Sequence, residues 1–301
     1  MIDRRTFLAA SAGAALAAGC RAAVPGKNGS PSQVATEAAK RFEAIRATLG
    51  PGGRLGVAAI DTGSGRELHF DADSRYSMAS TFKFPLAAAV LALAEQGKLS
   101  VDEELPFGPG KPLDNSPTVT ANLALGRLPI WQLCAAAVEV SDNSAANLLL
   151  RRIGGPEAVT RFVRACGDPV TRLDRFEMEL NSNLPGDPRD TTSPAAMARL
   201  ARKLVLGDVL TQENRNRLSL WLKKSVPGPD RLKAGFPVPP WLVGHKTGTG
   251  ANGAVNDVAI AWQSKRAPIV IACYQSGGTA GPPARFAAHA SVARLVAEAF
   301  A

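Results

Sequence analysis

The sequence predicts an α/β fold in which an antiparallel sheet is flanked by terminal helices and interrupted by an inserted all-helical domain. Segments rich in β-branched and aromatic residues lie near both ends of the chain, whereas the middle shows helical periodicity. Strands that are distant in sequence can share one sheet when the chain between them folds as a helical layer. We therefore expect residues 33–76 and 225–301 to form one α/β domain around the insertion, residues 77–224.

The N-terminal residues have the composition of a targeting segment. Residues 1–20 contain Arg4-Arg5 and an alanine-rich apolar run too short to be assigned as a membrane span, a pattern that resembles a twin-arginine export signal. The run ends at Gly19-Cys20, which resembles a lipoprotein cleavage site; ordinary cleavage nearby, with loss of Cys20, is the alternative. We expect an exported protein, periplasmic or secreted, with or without a lipid anchor at Cys20.

The first part of the α/β domain follows a linker at residues 21–32, which is rich in glycine, proline and serine. The periodicity of Val34–Leu49 predicts an amphipathic helix. Arg54–Asp61 and Glu67–Phe70 have the composition of strands and are separated by a tight-turn sequence, so we expect a hairpin.

The insertion contains several apolar runs with helical spacing. A loop rich in Asn, Asp, Pro and Gly is expected at residues 173–192. The predicted helices are Thr81–Gln96, Leu133–Val140, Ala145–Arg152, Pro156–Cys166, Pro194–Leu206 and Gln212–Lys223.

The C-terminal segment returns to strand composition. Trp241–Lys246, Val255–Trp262 and Ile269–Tyr274 are predicted strands, and Pro283–Phe300 is a predicted closing helix. A cleft between this α/β domain and the inserted helices is the expected position of a functional site.

The composition argues against nucleic acid or a metal ion as a partner. The net charge of +9 is spread along the chain without a long block of like charges, so we expect a solvated basic surface that helps to attract anionic substrates. The four cysteines form no C-x-x-C pair, and His69, His245 and His289 are far apart in sequence. We expect a monomer with no metal and no cofactor.

Ser80-Thr81-Phe82-Lys83 begins the first predicted helix of the insertion. Residues three apart lie on one face of a helix, so the Lys83 amine can reach the Ser80 hydroxyl. Free N–H groups at a helix N-terminus stabilise an oxyanion, and a buried lysine with a lowered pKa can accept the serine proton. The motif indicates a nucleophilic serine; an N-cap serine beside a solvated lysine is the alternative.

Ser141-Asp142-Asn143 follows the predicted helix that ends at Val140. Its functional interpretation is a second hydroxyl near Ser80 and an amide that binds substrate. The alternative is a capping cluster for the next helix, because Ser, Asp and Asn are all good capping residues.

Lys246-Thr247-Gly248 lies at the end of an apolar strand. A strand edge offers backbone N–H and C=O groups to an extended amide substrate. Gly248 permits close approach to the backbone, while Lys246 and Thr247 can hold a carboxylate. A hairpin turn with a solvated lysine is the alternative.

These three motifs, in this order, are the signature of class A β-lactamases and penicillin-binding proteins. From about residue 34 to its end, the sequence resembles the class A serine β-lactamases. The resemblance implies a β-lactamase/transpeptidase-like fold and hydrolysis of penicillins and cephalosporins through an acyl-enzyme on Ser80. It also implies that Ser141 protonates the leaving nitrogen and that Asn143 holds the acylamide side chain of the substrate.

A fourth motif, residues 175–181, resembles the class A omega-loop segment R-x-E-x-E-L-N. By this resemblance Glu177 activates the water that deacylates the enzyme, Asn181 helps to hold that water, and Arg175 and Asp190 close the loop with an ion pair. An acyl-enzyme hydrolyses slowly unless a carboxylate polarises a trapped water, so the chemistry requires such a group. A surface carboxylate is the alternative for Glu177.

Further positions are assigned by resemblance alone. The backbone N–H of Thr249 completes the oxyanion hole with that of Ser80, and its hydroxyl can reach the substrate carboxylate. Arg231 lies near that carboxylate, unless it is an exposed turn residue.

The chain also departs from the family pattern. Asn115 stands where many members carry Tyr or Trp at the cleft rim. His245 stands where Asp is common; we expect a solvated imidazole there, and the alternative is a histidine whose charge makes the field at Lys246 pH-dependent. Ala79 and Gly250 occupy two positions that are bridged in some carbapenem-hydrolysing members, so we expect penicillins and cephalosporins to be hydrolysed in preference to carbapenems.

Two other functions share part of the pattern. A D-Ala-D-Ala carboxypeptidase would use the Ser80, Ser141 and Lys246 motifs without the Glu177 segment, and a non-hydrolysing β-lactam sensor would acylate and remain acylated. Glu177 is therefore the residue that separates the β-lactamase from both alternatives.

Overall fold

The computed structural model describes residues 31–301, with side chains from residue 36 onward. The twin-arginine motif, Cys20 and residues 21–30 of the expected linker lie outside the described residues. The first helix begins at Pro31, inside the segment expected to be a linker, and it ends at Ala47.

The longer strands lie toward both ends of the described part of the chain, and most helices lie between them. The helices are α1 (Pro31–Ala47), α2 (Lys83–Glu95), α3 (Pro117–Ala121), α4 (Ile130–Glu139), α5 (Asn143–Ile153), α6 (Pro156–Ala165), α7 (Pro194–Leu206), α8 (Gln212–Lys223) and α9 (Pro282–Ala299). The strands are β1 (Arg54–Asp61), β2 (Glu67–Phe70), β3 (Tyr76–Ser77), β4 (Glu104–Pro106), β5 (Arg127–Pro129), β6 (Thr191–Thr192), β7 (Leu242–Thr249), β8 (Val255–Gln263) and β9 (Arg266–Ser276). Short 3-10 helices lie at Ala79–Phe82, Glu179–Asn181 and Leu232–Gly235.

Within the described residues, an antiparallel sheet of five strands has the order β2-β1-β9-β8-β7. β1 pairs with β9 along its whole length, from Arg54 opposite Ser276 to Asp61 opposite Ile269. The first and last long strands among the described residues are therefore neighbours in one sheet. β7 lies at the sheet edge, so its free side is available to the elements that carry the functional side chains.

Both faces of the sheet are covered by helices. Along β1, Val57 and Ala59 face a core shared with α1 and α9, whereas Ala58 and Ile60 face a second core shared with the inserted helices. Successive side chains of a strand point to opposite faces, so a continuous apolar run suits a strand that is buried on both sides. The molecule consequently has three layers: a terminal helix pair, the sheet, and the inserted helices.

α2 forms the centre of the inserted segment. Every residue from Lys83 to Ala92 is buried, so the helix is apolar nearly all round instead of amphipathic. The expectation of an all-helical segment at 77–224 is wrong in detail, because β4 pairs with β5 and β6 pairs with β3. Strands of two or three residues are too short to produce a recognisable alternation in the sequence.

Most predicted elements lie close to their observed positions. β1, β2, α7 and α8 have the predicted bounds, whereas β7 continues to Thr249 instead of ending at Lys246. The extension occurs because Thr247, Gly248 and Thr249 go on pairing with β8. Among residues 31–301, none of the helices has the length and apolar character needed to cross a membrane.

Candidate active site

Ser80 lies in the 3-10 helix Ala79–Phe82, which leads directly into α2. Lys83 is the first residue of α2, and its Nζ lies 3.1 Å from Ser80 Oγ. The Ser80 side chain caps neither helix, and Lys83 is fully buried. The alternative of an N-cap serine beside a solvated lysine is therefore wrong.

Lys83 lies at the centre of a buried polar cluster. Its Nζ donates to Ser141 O at 2.8 Å and to Asn143 Oδ1, and it lies 2.9 Å from Glu177 Oε1. Burial lowers the pKa of Lys83 below its ordinary value, and the Glu177 carboxylate opposes that shift.

Ser141 connects Lys83 to Lys246. Its Oγ lies 3.0 Å from Lys246 Nζ and 3.4 Å from Lys83 Nζ. Its φ of 60° is in the left-handed region, which non-glycine residues adopt at an energetic cost and often at functional sites. Asn115 helps to hold this conformation, because its Nδ2 donates to Ser141 O at 3.0 Å.

The other two residues of the triplet have different tasks. Asp142 caps α5 by accepting a hydrogen bond from Ala145 N at 2.8 Å, so the capping interpretation is correct for this residue. Asn143 donates from Nδ2 to Asp114 O at 2.8 Å, which turns its Oδ1 toward Lys83. The triplet therefore caps α5 through Asp142 and contacts Lys83 through Ser141 and Asn143.

Glu177 is buried against Ser80 and Lys83. Its side chain is fully buried, and Oε1 lies 3.4 Å from Ser80 Oγ. Its Oε2 accepts a hydrogen bond from Asn181 Nδ2 at 2.7 Å. The alternative of a surface carboxylate is therefore wrong. Glu177 and Asn181, four residues apart in the chain, contact each other beside Ser80.

Asn147 fixes the backbone of Glu177, a role that the sequence did not predict. Glu177 N donates to Asn147 Oδ1 and Asn147 Nδ2 donates to Glu177 O, both at 2.9 Å. Asn147 lies one helical turn after Asn143 on the buried face of α5. In the sequence, the signal for Asn147 was a second asparagine four residues after Asn143, on the same face of the predicted helix.

The segment 173–192 is closed by an ion pair between Arg175 and Asp190. Arg175 Nε lies 2.6 Å from Asp190 Oδ2, and the backbone N–H groups of Asp174 and Arg175 donate to Asp190 Oδ1. The segment also docks on the turn between β7 and β8, where Ala251 N donates to Asn181 O at 2.9 Å. These contacts position Glu177 relative to Ser80.

β7 runs past Ser80 and carries the third motif. Lys246 is fully buried, and burial is the main cause that lowers its pKa well below the ordinary lysine value, with the Lys83 charge second. A Cβ atom at Gly248 would lie 2.7 Å from Met78 O and 3.1 Å from Ser80 N. Only glycine allows β7 to approach the 3-10 helix this closely. The alternative of a hairpin turn with a solvated lysine is wrong.

Arg231 is buried beside the end of β7. Its Nη1 donates to Gly248 O and Asn256 O, both at 3.0 Å, and its Nη2 donates to Thr249 Oγ1 at 2.8 Å. With only 6% of its surface exposed, it is not an exposed turn residue. Arg231, Lys246 and Thr249 together place positive charge and hydroxyl groups along this end of β7.

His245 contradicts the expectation of a solvated imidazole. The residue is fully buried, and its Nδ1 lies 3.0 Å from Asp257 Oδ2. Consecutive residues of β7 point to opposite faces of the sheet, so His245 enters the core on the side opposite Lys246. The prediction failed because it considered only Lys246, the neighbour of His245 in the sequence. It did not consider Asp257, which the neighbouring strand β8 places beside the imidazole.

A cavity of about 720 Å³ adjoins this cluster. It lies between residues 106–113 and 176–179 and is lined by Asn147 and Glu177 among others. All of its lining residues belong to the inserted segment, so this cavity is not the cleft expected between that segment and the α/β domain. Among residues 31–301, no group of three or more His, Cys, Asp or Glu side chains is arranged to hold a metal ion.

Comparison with known proteins agrees with this geometry. A model of the beta-lactamase enzyme family matches residues 37–300. A beta-lactamase of Streptomyces albus G is 44% identical over 287 residues, which cover 89% of this chain and 88% of the relative. The carbapenem-hydrolyzing beta-lactamase KPC of Klebsiella oxytoca is also 44% identical, over 82% of this chain and 84% of its own.

A solved structure gives the same result at the level of the fold. An ancestral class A beta-lactamase superposes with a TM-score of 0.83 at 47% identity, covering 89% of this chain and 100% of the other. The family model spans most of the described residues, including the motifs that begin at Ser80, Ser141, Arg175 and Lys246. The chain therefore belongs to the beta-lactamase enzyme family, and within it to the class A serine β-lactamases.

Proposed function

We propose that this protein hydrolyses the β-lactam amide of penicillins and cephalosporins through an acyl-enzyme on Ser80, which is deacylated by a water that Glu177 activates. One observation carries the proposal: a buried carboxylate lies 3.4 Å from the Ser80 hydroxyl and is oriented by Asn181. A serine nucleophile with a carboxylate at this distance has the means for both acylation and hydrolysis.

The proton inventory around Lys83 favours Glu177 as the acceptor of the Ser80 proton. An ammonium group has three protons, and Ser141 O, Asn143 Oδ1 and Glu177 Oε1 are three oxygens that can only accept. The Ser80 hydroxyl is then free to donate to Glu177 Oε1 at 3.4 Å. Transfer in the first step then runs to Glu177. In its neutral form, which its lowered pKa makes accessible, Lys83 takes the proton instead through its Nζ at 3.1 Å, so acylation keeps a base when Glu177 is removed.

The charge that develops on the substrate is met by groups around Ser80. The backbone N–H groups of Ser80 and Thr249 hold the oxyanion in this mechanism. Ser141 gives its proton to the leaving nitrogen and recovers one through its contacts with Lys83 and Lys246. Both amines have lowered pKa values, which makes such transfer easier at neutral pH.

Binding of the substrate uses the end of β7 and the start of α5. The substrate lies along the edge of the sheet at residues 246–249, where its carboxylate is held by Lys246, Thr247 and Thr249. Arg231 orients Thr249 by donating a hydrogen bond to its hydroxyl. Asn143 holds the acylamide group, whose side chain extends toward the cavity of about 720 Å³. The anionic substrate suits this positively charged edge.

The position of Ala79 and Gly250 supports the choice of substrates. A Cβ atom built on Gly250 lies 3.6 Å from Ala79 Cβ, which is within the range of a disulfide, but neither residue has a sulfur atom. The bridge expected of some carbapenem-hydrolysing relatives is therefore not formed in this protein. We propose penicillins and cephalosporins as the main substrates.

Cellular context is part of the same proposal. We infer export by a twin-arginine signal to the periplasm or the medium. Such an enzyme has to hydrolyse the antibiotic before the antibiotic reaches its own target. The mature protein acts as a monomer without metal or cofactor. It is either released or anchored through a lipid on Cys20.

The test is turnover of a chromogenic cephalosporin by purified protein, with intact-protein mass spectrometry of benzylpenicillin reactions. Wild type should turn over many substrate molecules, and Ser80→Ala should lose both turnover and covalent labelling while keeping its circular dichroism spectrum. A carboxypeptidase or a sensor would instead accumulate a stable adduct in the wild type. Labelling of Ser80→Ala at another residue would refute the assignment of the nucleophile.

A further inference from the structure

Behind the candidate active site, β7 contributes to a second buried cluster. His245 on β7, Asp257 on β8 and His289 on α9 are all fully buried. Asp257 is paired in register with Thr247, two residues after His245. Residues at this spacing share one face of a sheet, so the Asp257 carboxylate and the His245 imidazole both lie on the face opposite Lys246. The hydrolysis proposed above uses neither this carboxylate nor the two imidazoles.

Asp257 is the centre of this cluster. Its Oδ2 lies 3.0 Å from His245 Nδ1 and accepts a hydrogen bond from Leu232 N at 3.1 Å. Burial opposes ionisation of the carboxylate, but His245, together with the charges of His289 and Arg231, holds the pKa of Asp257 below its ordinary value. An ionised carboxylate only accepts hydrogen bonds, so the imidazole Nδ1 is the donor. Among the described residues, His245 is the one side chain that donates to Asp257.

The hydrogen bond to Leu232 holds the backbone next to Arg231. Leu232 is the first residue of the 3-10 helix Leu232–Gly235, and Arg231 directly precedes it. At the other end of the arginine side chain, the guanidinium donates to Gly248 O at 3.0 Å and to Thr249 Oγ1 at 2.8 Å. Asp257 therefore fixes the backbone end of Arg231, and the end of β7 contacts its tip.

Neutral groups alone contact the Arg231 guanidinium within the described part of the chain. Its hydrogen-bond acceptors are Gly248 O, Asn256 O and Thr249 Oγ1, and it lies over the ring of Phe286 at 4.7 Å from the centroid. No direct ion pair with a carboxylate holds the guanidinium in place. Its position therefore depends strongly on how the adjoining backbone is held.

We propose that His245 is a positioning residue for the substrate carboxylate. By orienting Asp257 it holds the backbone beside Arg231, whose guanidinium in turn orients the Thr249 hydroxyl. The inference rests on the proposed hydrolysis, in which Thr249 contacts that carboxylate. Loss of the imidazole leaves a buried carboxylate with one hydrogen bond fewer, so the arginine and the hydroxyl are held less firmly. A contact made equally in the bound substrate and in the transition state affects KM more than kcat.

Two amide substitutions isolate the donor of His245. His245→Asn places an amide nitrogen near the position of ring Nδ1, from which it can donate to Asp257. His245→Gln places the amide near ring Nε2, an atom without a partner among the described residues. We expect His245→Gln to lower kcat/KM for benzylpenicillin about tenfold, mainly through KM, because a hydrogen bond to a charged group is lost. His245→Asn should recover most of that loss. His245→Ala, which removes the donor without adding a buried amide, should show the same rise in KM as His245→Gln.

The methyl ester of benzylpenicillin separates an effect on carboxylate binding from general damage. The ester lacks the anion, so the wild type and His245→Gln should be acylated by it at similar second-order rates. Phe42→Leu is the matched control for lost stability. Phe42 is fully buried in the core on the same face of the sheet and contacts Phe70 of β2, the edge strand farthest from β7. This variant should have a lower Tm but the KM of the wild type.

The second-order rate of acylation, followed by intact-protein mass, is measured beside turnover. Acylation reports on carboxylate binding whether or not the adduct is later hydrolysed. Normal acylation of the wild type without turnover would contradict the proposed hydrolysis alone. An equal loss for benzylpenicillin and its ester in His245→Gln, an unchanged KM in that variant, or an equal loss in His245→Asn would overturn the positioning role of His245.

Discussion

At the scale of single residues, the geometry of the candidate active site depends on side chains that form hydrogen bonds with the backbone of neighbouring site residues. Ser141 has a positive φ and is kept in place by Asn115, while the backbone of Glu177 is fixed on both sides by Asn147. Such support matters because a shift of about 1 Å in a reacting group can reduce a rate roughly 10²-fold. Asn147 is therefore a positioning residue and not a catalytic one.

Replacement of this residue tests that role. Asn147→Ala leaves the N–H and C=O of Glu177 without their buried partners, so we expect it to slow deacylation at least about tenfold and to lower stability by roughly 2 kcal/mol. The readout is the lifetime of the benzylpenicillin adduct, followed by intact-protein mass. Asn122→Ala, which removes a half-buried hydrogen bond to Thr118 O, is the matched control and should keep the wild-type lifetime. An unchanged lifetime in Asn147→Ala would remove Asn147 from the account.

The sequence predicted most of this site because its residues fall in short, ordered motifs. Helical spacing alone brings Lys83 to Ser80, whereas Lys246 reaches Ser141 from within β7, which continues to Thr249. It could not predict the partner of His245, since that contact depends on the register between β7 and β8. Asn147 was missed for a similar reason: its partner is a loop 30 residues away in the chain.

At the scale of elements, the segment 173–192 lacks long regular structure and is held by specific contacts. Asp190 is fully buried and accepts from Arg175 Nε and from two backbone N–H groups. One carboxylate thereby joins both ends of the loop. The expected ion pair of Arg175 and Asp190 is present, and the position of Glu177 depends on it.

Asp190→Asn tests the closure of the loop. The amide nitrogen cannot accept from Arg175, so a buried donor loses its partner and we expect a loss of about 2 kcal/mol in stability with slower deacylation. Urea denaturation and pre-steady-state turnover measure the two effects. Glu157→Gln breaks the exposed pair with Arg161 and should cost less than about 1 kcal/mol. Equal effects of the two substitutions would contradict the structural role of Asp190.

The bounds of long elements could be predicted, whereas short strands and local irregularities could not. β1 and α7 were predicted because an apolar run or a capped amphipathic pattern defines each one by itself. The pairs β3–β6 and β4–β5 depend on tertiary contacts of two or three residues. The 3-10 helix that precedes α2 was also missed, and Gly248 of β7 packs closely against it.

At the scale of the whole molecule, the sheet separates two cores, and one of them contains a buried ionisable cluster. His289 on α9 is fully buried, and its Nε2 lies 3.1 Å from Val255 O. Burial lowers the pKa of His289 to about 4, against an attraction by Asp257 that raises it. The native protein thus keeps this imidazole neutral over most of the mildly acidic range.

This shift predicts acid sensitivity. Below about pH 6.5 the unfolded chain takes up a proton at His289 that the native state refuses until about pH 4, so stability falls as the pH falls. The contribution between pH 7 and pH 4 is on the order of 3 kcal/mol. We expect His289→Gln to reduce the pH dependence of the free energy of unfolding, measured by urea denaturation at pH 7 and pH 4. Parallel pH profiles for the variant and the wild type would show that His289 is not responsible.

The central claim is that Glu177 drives deacylation of Ser80, and stopped-flow turnover of Glu177→Ala with benzylpenicillin, combined with intact-protein mass, tests it most directly. A positioned general base contributes about 10²–10⁴-fold, so we expect deacylation to slow by that factor and a stable Ser80 adduct to accumulate. Glu157→Ala, which removes an exposed carboxylate that does not line the cavity of about 720 Å³, is the matched control and should turn over like the wild type. Turnover of Glu177→Ala at the wild-type rate without an adduct would contradict the account.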